Sequence, residues 1–371
     1  MIIKDEIYGM VGFNDLEKRI IDTPDFQRLR RIKQMSFTNL VYPGANHTRF
    51  EHSLGTAHLS GEIAERLGLD GDTVRKARLY GLLHDIGHTA FSHEGEAVLA
   101  PRIGSHEELG ARRIRDGPVA DILGENYRPE EILGLAKRKE GQIVSSDIGA
   151  DRMDYLKRDA LNTGVAYGVI DIDRIVHTLA MEDDEMVIAE GGLEAAESLL
   201  VGRFMMFSAV YLHHTVRIAT AMLGRAITLS LGDGTAAAGG FRDFCDDDAL
   251  AAMSRSRAAK PYVDGLLNRR LYKEAFSSGK NDLRKWARKA EGLEEMLREK
   301  AGFDVLVDWP SPFSAPVGFR VKTAGGLRGI TELSDLVRSL EKSEESRMKV
   351  LVLAPPERRE EAERLIPGLL D

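Results

Sequence analysis

Gly81-Leu82-Leu83-His84-Asp85-Ile86-Gly87-His88 is the stretch on which the reading of this 371-residue chain turns. Seven of the ten histidines lie between residues 47 and 106, a concentration that points to a chemical site. In the His84-Asp85 doublet, a neutral imidazole and a carboxylate together suit a borderline or hard divalent cation. If the segment is helical, His88 lies one turn beyond His84 on the same face and adds a third imidazole beside the pair. Upstream, a helical pattern opens at His47 and runs to about Leu67, with Leu54, Ala57, Ile63, Ala64 and Leu67 as its apolar stripe. It offers His52 as a further ligand. His52, His84 and Asp85 on successive short helices have little structural use, whereas His58, His177, His213 and His214, taken singly, read as ordinary core or surface histidines.

Other polar residues follow in order. His93 and Glu96 come directly after the doublet, and Ser105 with Glu108 has the spacing of a capping box. His106 then falls in a first helical turn, where the positive dipole end disfavours imidazolium and favours phosphate. Asp151, Tyr155 and Asp159 recur every four residues, so one helix face carries a carboxylate, a phenol and a second carboxylate.

The order His52, His84-Asp85, Asp151 resembles the HD superfamily of metal-dependent phosphohydrolases. The stretches Asp22 to Gln34, Tyr42 to Ala45, Thr48 to Gly55, His84 to His93 and Asp151 to Tyr155 are similar to one branch of it, the deoxynucleoside triphosphate triphosphohydrolases. The resemblance implies that His52, His84, Asp85 and Asp151 hold one divalent metal ion, for which manganese, iron, magnesium, nickel and zinc all suit a two-histidine, two-carboxylate set. It places Arg49, Arg152 and Arg203 on the triphosphate, and Gln34, Tyr155, Asp159 and Tyr211 on sugar and base. His88, His93, Glu96 and His106 form the implied catalytic cluster. In the branch's vertebrate enzyme, which joins a sterile-alpha-motif domain to its HD domain, a guanine nucleotide drives assembly of the active oligomer. The positions that read guanine there match Asp22, Gln27 and Arg30, so a guanine effector and a homo-oligomer, dimer or tetramer, are expected. Against this, Met1 and the stretch Glu190 to Gly192 replace cations, although Arg174 is retained. Three departures concern the site. Arg152 stands for a lysine, Phe207 for a histidine and Glu96 for an aspartate, and the first changes a point charge into a planar fork.

Charge dictates the chemistry. A triphosphate repels an attacking water until a metal and cations neutralise it, and guanidinium groups bind phosphate oxygens in pairs. An imidazole oriented by Glu96 can manage the proton of the leaving oxygen or of the nucleophile. The expected reaction is attack at the α-phosphorus of a dNTP, releasing deoxynucleoside and inorganic triphosphate. The residues alone equally permit a phosphomonoesterase or another phosphoesterase. A reading from another class is a nucleotide-sensing or single-strand nucleic-acid-binding protein with a slow HD site.

Composition fits a cytoplasmic enzyme. The formal net charge of −8 argues against a global nucleic-acid binder, and the sole cysteine, Cys245, excludes an intrachain disulfide. No apolar run reaches the length of a membrane span, and Met1 to Glu6 lacks the pattern of a signal peptide. The fold class expected is mostly α: an HD-domain helical core over residues 1–232, a helical extension over 233–300, and a small α+β region over 301–371. Helices are expected over 193–231, 247–255, 262–276, 281–300, 332–341 and 356–365, and strands over 303–309, 317–322 and 348–354. The stretch from Arg255 to Lys300 is rich in cations and carries Tyr262, Tyr272 and Trp286, and solvated faces of amphipathic helices explain it.

Overall fold

Thr48, in extended backbone, starts the helix that carries the first histidine of the site, α1 (Arg49–Arg66), and its N–H donates to Glu51 Oε2 at 2.8 Å. That bond satisfies one of the donors a helix start leaves unpaired. Asp70 does the same for α2 (Gly71–Leu83), accepting from the N–H groups of Asp72 and Thr73. The two helices pack along each other. Phe50, Leu54 and Ala57 from α1 and Leu79, Leu82 and Leu83 from α2 join Phe26 and Ile86 in one buried cluster, where Phe26 meets Phe50 edge to face at 5.4 Å. Each such large side chain stabilises the fold by roughly 1.5–3 kcal/mol on leaving water.

The computed structural model describes residues 1–278, 290–309 and 318–370. Further helices of the N-terminal half are α3 (Ser92–Ile103), α4 (His106–Arg115), α5 (Ala150–Thr163) and α6 (Leu193–Met206). Nine strands are described: β1 (Ile2–Asp5), β2 (Gly9–Gly12), β3 (Leu179–Glu182), β4 (Glu185–Ala189), β5 (Lys273–Ser277), β6 (Leu306–Asp308), β7 (Arg320–Thr323), β8 (Gly326–Gly329) and β9 (Leu351–Ala354). The chain divides into two compact units, one of residues 1–206, 237–249 and 317–338, the other of 207–236, 250–316 and 339–371. The divisions expected at 232 and 300 both fall inside the second unit.

The first unit holds α1 to α6, the hairpin β1–β2 and the sheet β3–β4–β7–β8, in which β4 and β7 run parallel. The second holds the antiparallel sheet β5–β9–β6, centred on fully buried Leu351 to Ala354. Val305, Val350 and Val352 pack there with Leu297 of one helix and Ala362 and Ile366 of another. Among the described residues no single helix is long and apolar enough to cross a membrane.

The fold is mostly helical with small sheets toward the C-terminus, as expected. Details differ. The helix expected over 262–276 stops at Leu267; Arg269 takes a positive φ of 54° and the chain re-enters as strand β5. A run over 193–231 is broken after Met206 by a π-helical turn, Phe207–Tyr211, before a helix resumes at His214. Residues 281–289 of the helix expected over 281–300, with Trp286, lie outside the described residues, while Ala290–Ala301 is helical.

Candidate metal centre and proton-handling cluster

The doublet does not lie on a helix. α2 ends at Leu83, His84 is its C-cap, and residues 84–87 form a turn. The expectation of a helical turn between His84 and His88 is therefore corrected: Ile86 N–H bonds to Leu83 O and His88 N–H to Asp85 O, and this tighter turn still leaves His88 Nε2 3.3 Å from Asp85 Oδ1, so the third imidazole lies beside the pair. The physical cause is at Gly87. A β-carbon there would collide with the backbone of His106 and Gly110, so the turn lies directly against α4, closer than any side chain permits.

His52, His84, Asp85 and Asp151 converge. His52 Nε2 lies 3.1 Å from Asp151 Oδ1 and 3.6 Å from Asp85 Oδ2, while His84 Nε2 lies 3.4 Å from Asp85 Oδ1 and 3.7 Å from Asp151 Oδ1. Both Nε2 atoms are buried without a hydrogen-bond partner. Each ring is turned by its other nitrogen, His84 Nδ1 donating to Gly81 O at 2.7 Å and His52 Nδ1 to Asp154 Oδ2 at 2.8 Å. Imidazoles fixed through one nitrogen with the other orphaned among carboxylates fit a divalent cation. The carboxylates draw positive charge into the site, as a proton on His52 or as an ion that displaces it. Burial disfavours a charged His52, but Asp151 and Asp154 outweigh it and raise its pKa to about 10. Burial likewise opposes ionisation of Asp85, yet His84 and Arg49 hold it well below the usual carboxylate range.

Asp154 was not singled out in the sequence, and it anchors the centre. Its carboxylate takes two bonds from the buried guanidinium of Arg158, at 2.8 and 3.0 Å, and Arg158 also meets Asp5 at 3.0 Å. Gly55 leaves the space, since a β-carbon there would strike both Asp154 and Arg158. The available signals were the spacing of Asp154 three residues after Asp151 and a glycine three residues after His52.

A second cluster stands beside the first. His88 and His106 stack with ring centroids 4.1 Å apart and planes 9° from parallel, and His93 meets both edge-on. Glu96 accepts from His106 Nδ1 at 2.8 Å and from the His106 backbone N–H at 2.6 Å, and lies 3.3 Å from His93 Nδ1. These donors also lie close enough together to suggest an ion. The stacking of His88 on His106 and the carboxylate shared by His93 and His106 also suit proton handling. Burial and the nearby Arg49 keep His88 well below the ordinary imidazole range despite Asp85. Although burial opposes it, Glu96 raises His106. The stacked imidazoles are thus shifted in opposite directions, His88 toward the neutral form and His106 toward the protonated one.

The remaining predicted residues are distributed as follows. Arg49 is buried, its NH1 donating to Asp85 Oδ2 at 2.6 Å and its Nε to Ser92 Oγ at 2.9 Å. Arg152 pairs with Asp147. Tyr155 has its pKa raised to about 12 by burial, with the charges of Arg152 and Arg203 acting the other way. Asp159 is buried 2.7 Å from His47 Nε2, and the Gln34 side-chain oxygen is buried without a hydrogen-bond partner. Tyr211 belongs to the second unit, edge-on to Phe207. Of the regulatory trio, Asp22 caps a helix, Gln27 donates to Ile21 O, and Arg30 donates to Gln27 while its guanidinium lies 3.5 Å above the Phe50 ring.

Two family profiles match, the HD domain over residues 49–159 and the HD-associated region over residues 170–371. The chain is 37% identical to an uncharacterized protein of Methanocaldococcus jannaschii over 96% of its own length and 80% of that protein's. It is 29% identical to the deoxynucleoside triphosphate triphosphohydrolase SAMHD1 homolog of Dictyostelium discoideum over 61% of its length and 49% of that protein's. The crystal structure of a phosphohydrolase from Bacteroides thetaiotaomicron superposes with a TM-score of 0.76 at 27% identity, covering 96% of this chain and 99% of that one.

Proposed function

This chain belongs to the HD-domain phosphohydrolases that carry an HD-associated region, and from that premise we propose that it hydrolyses deoxynucleoside triphosphates to deoxynucleoside and inorganic triphosphate. The observation that carries the reading is the face of α5. Asp151 of the metal set, Arg152 and Tyr155 lie within one turn, and Arg203 acts electrostatically on that same phenol. Cations, an aromatic wall and a metal ligand side by side are what a polyphosphate joined to a sugar requires.

A divalent metal held by His52, His84, Asp85 and Asp151 would supply Lewis-acid neutralisation of the phosphate and activate water. The chain's own groups do the rest. Arg49, Arg152 and Arg203 bind phosphate oxygens, and Arg49 also restrains Asp85. Glu96 favours the protonated form of His106, which donates toward the leaving oxygen, while neutral His88 remains an acceptor. Tyr155 and Asp159 lie along the sugar, where the phenol ring crowds a 2′-hydroxyl.

One observation favours a second reading. Arg49 and Arg152 are already paired with Asp85 and Asp147, which leaves less positive charge for a triphosphate and suits the smaller charge of a phosphomonoester. A survey of products over all dNTPs, NTPs and nucleoside monophosphates with several metals separates the two. Inorganic triphosphate supports the first reading, and orthophosphate supports the second. Equal kcat/KM for dGTP and GTP would end the assignment of Tyr155 to the sugar, whereas Tyr155→Ala is expected to narrow a preference for dGTP.

A further inference from the structure

Asp246 lies far along the chain, in the HD-associated region, yet its carboxylate oxygens are spent in the N-terminal half, one on a residue of the HD domain and one on a residue that precedes it. Oδ1 accepts the N–H of Phe91 at 2.8 Å and Oδ2 the N–H of Lys33 at 3.0 Å, and the residue is only 8% exposed. A buried carboxylate bonded only to backbone amides stabilises a chosen backbone shape.

That shape is unusual. Phe91 and Ser92 take positive φ values of 65° and 55° in succession, and Phe91 is bulky and buried against Phe37. L-residues other than Gly, Asn and Asp seldom sit in that region, and such strain persists only where surrounding bonds impose it. The Phe91–Ser92 turn leads into α3 and so sets where His93 points. It also sets Arg49, because Ser92 Oγ donates to Lys33 O at 2.7 Å and accepts from Arg49 Nε at 2.9 Å. The Lys33 segment is itself tied to the start of α1, through Arg49 N–H to Ile32 O and Gln34 N–H to His47 O. One carboxylate therefore clamps the two backbone segments between which the Arg49 side chain is held.

We propose that Asp246 is a positioning residue of the hydrolytic site, fixing the left-handed Phe91–Ser92 turn against Lys33 and through it the guanidinium of Arg49 and the imidazole of His93. The inference rests on the role given above to Arg49 and to the histidine cluster of which His93 is a member. Asn at position 246 can satisfy one of the two N–H groups and turns a donor toward the other.

The test is Asp246→Asn in the metal-loaded full chain. Amide exchange of the peptide spanning Phe91 to His93 rises while exchange elsewhere in the HD domain, metal content and Tm stay close to the parent's. Turnover on the substrate identified by the product survey falls roughly 10- to 100-fold in kcat, with a much smaller change in KM. The pH profile provides a further readout. Burial raises the Asp246 carboxyl to about 6, with Lys33 acting against and Asp247 with the rise, and Glu94 also within electrostatic reach. The parent therefore loses kcat as pH falls through that value, and the variant lacks this limb. Unchanged exchange at 91–93, a local rise without loss of kcat, or a rise spread over the whole unit with a falling Tm would each overturn the proposal. If Asp246→Asn does not fold, Ser92→Ala cuts the same chain between Lys33 and Arg49, and full kcat in that variant overturns it. Should the parent hydrolyse no nucleotide, the proposed function fails and the exchange result alone decides the clamp.

Discussion

The two histidine clusters of the HD domain use the same side chains for opposite ends. In the first, His52 and His84 are each fixed by Nδ1 and leave Nε2 orphaned among carboxylates. In the second, His88 and His106 lie ring on ring, one pushed toward neutrality by burial and Arg49, the other drawn toward the protonated form by Glu96. The difference teaches that residue type does not assign the role of a histidine; the partner of its second nitrogen does. A backbone carbonyl or carboxylate behind the ring, with nothing in front, prepares a ligand. A ring neighbour beside an imidazole bonded to a carboxylate prepares a proton carrier.

The sharpest way to break this contrast is to delete one cluster at a time. His84→Ala and Asp85→Ala are expected to lose metal and turnover together while circular dichroism retains the helical signal; full metal occupancy in both would refute the first assignment. His106→Ala is expected to lower kcat by about 10²- to 10⁴-fold with metal fully retained. Parallel metal loss in that variant would merge the two clusters into one site. A smaller effect is expected at Asp154→Asn, which leaves the ligands but frees the His52 ring: metal affinity, measured by competition with a chelator, falls about 10- to 100-fold. Unaltered affinity would mean that the His52–Asp154 bond is packing alone.

The smallest effect is on pH. Burial lowers His106 and Glu96 outweighs it, so His106 holds its proton to higher pH than an ordinary imidazole and loses it as pH rises through that elevated value. If it is the acid, kcat/KM falls along this alkaline limb. Glu96→Gln removes the attraction and moves the limb to lower pH. A limb that stays in place would transfer the acid role to His93.

Much of the first cluster was legible because it is local: His52, His84 and Asp85 sit in dense motifs, and Asp151 recurs with Tyr155 on one face. What was not legible depends on distance along the chain. The apolar pattern runs on through Ile86, so nothing nearby reveals that α2 ends at Leu83; the cause is α4, which arrives only with His106 and Gly110. Asp154 gains its meaning from His52, and Asp246 from Phe91 and Lys33, partners more than a hundred residues away in each case. The hairpin β3–β4 was overlooked although Asp183 and Asp184, both at positive φ, form its turn. Two adjacent aspartates are a weaker hairpin signal than Asn-Gly or Asp-Gly. In the second unit, β5 becomes a strand by pairing with β9, and no periodicity within 262–276 records that partner.

The approach at Gly87 reaches beyond this molecule. Nothing but hydrogen fits between that α-carbon and the backbone of His106 and Gly110, so the distance between ion binding and proton transfer is set by an atom that is missing. Any chain that keeps the histidine-aspartate doublet but carries a side chain at this position must move α4 outward and unstack the imidazole pair. Position 87 is thus a one-letter filter for sorting doublet-bearing sequences: it separates those that can retain both halves of the machinery from those that can retain only the ion.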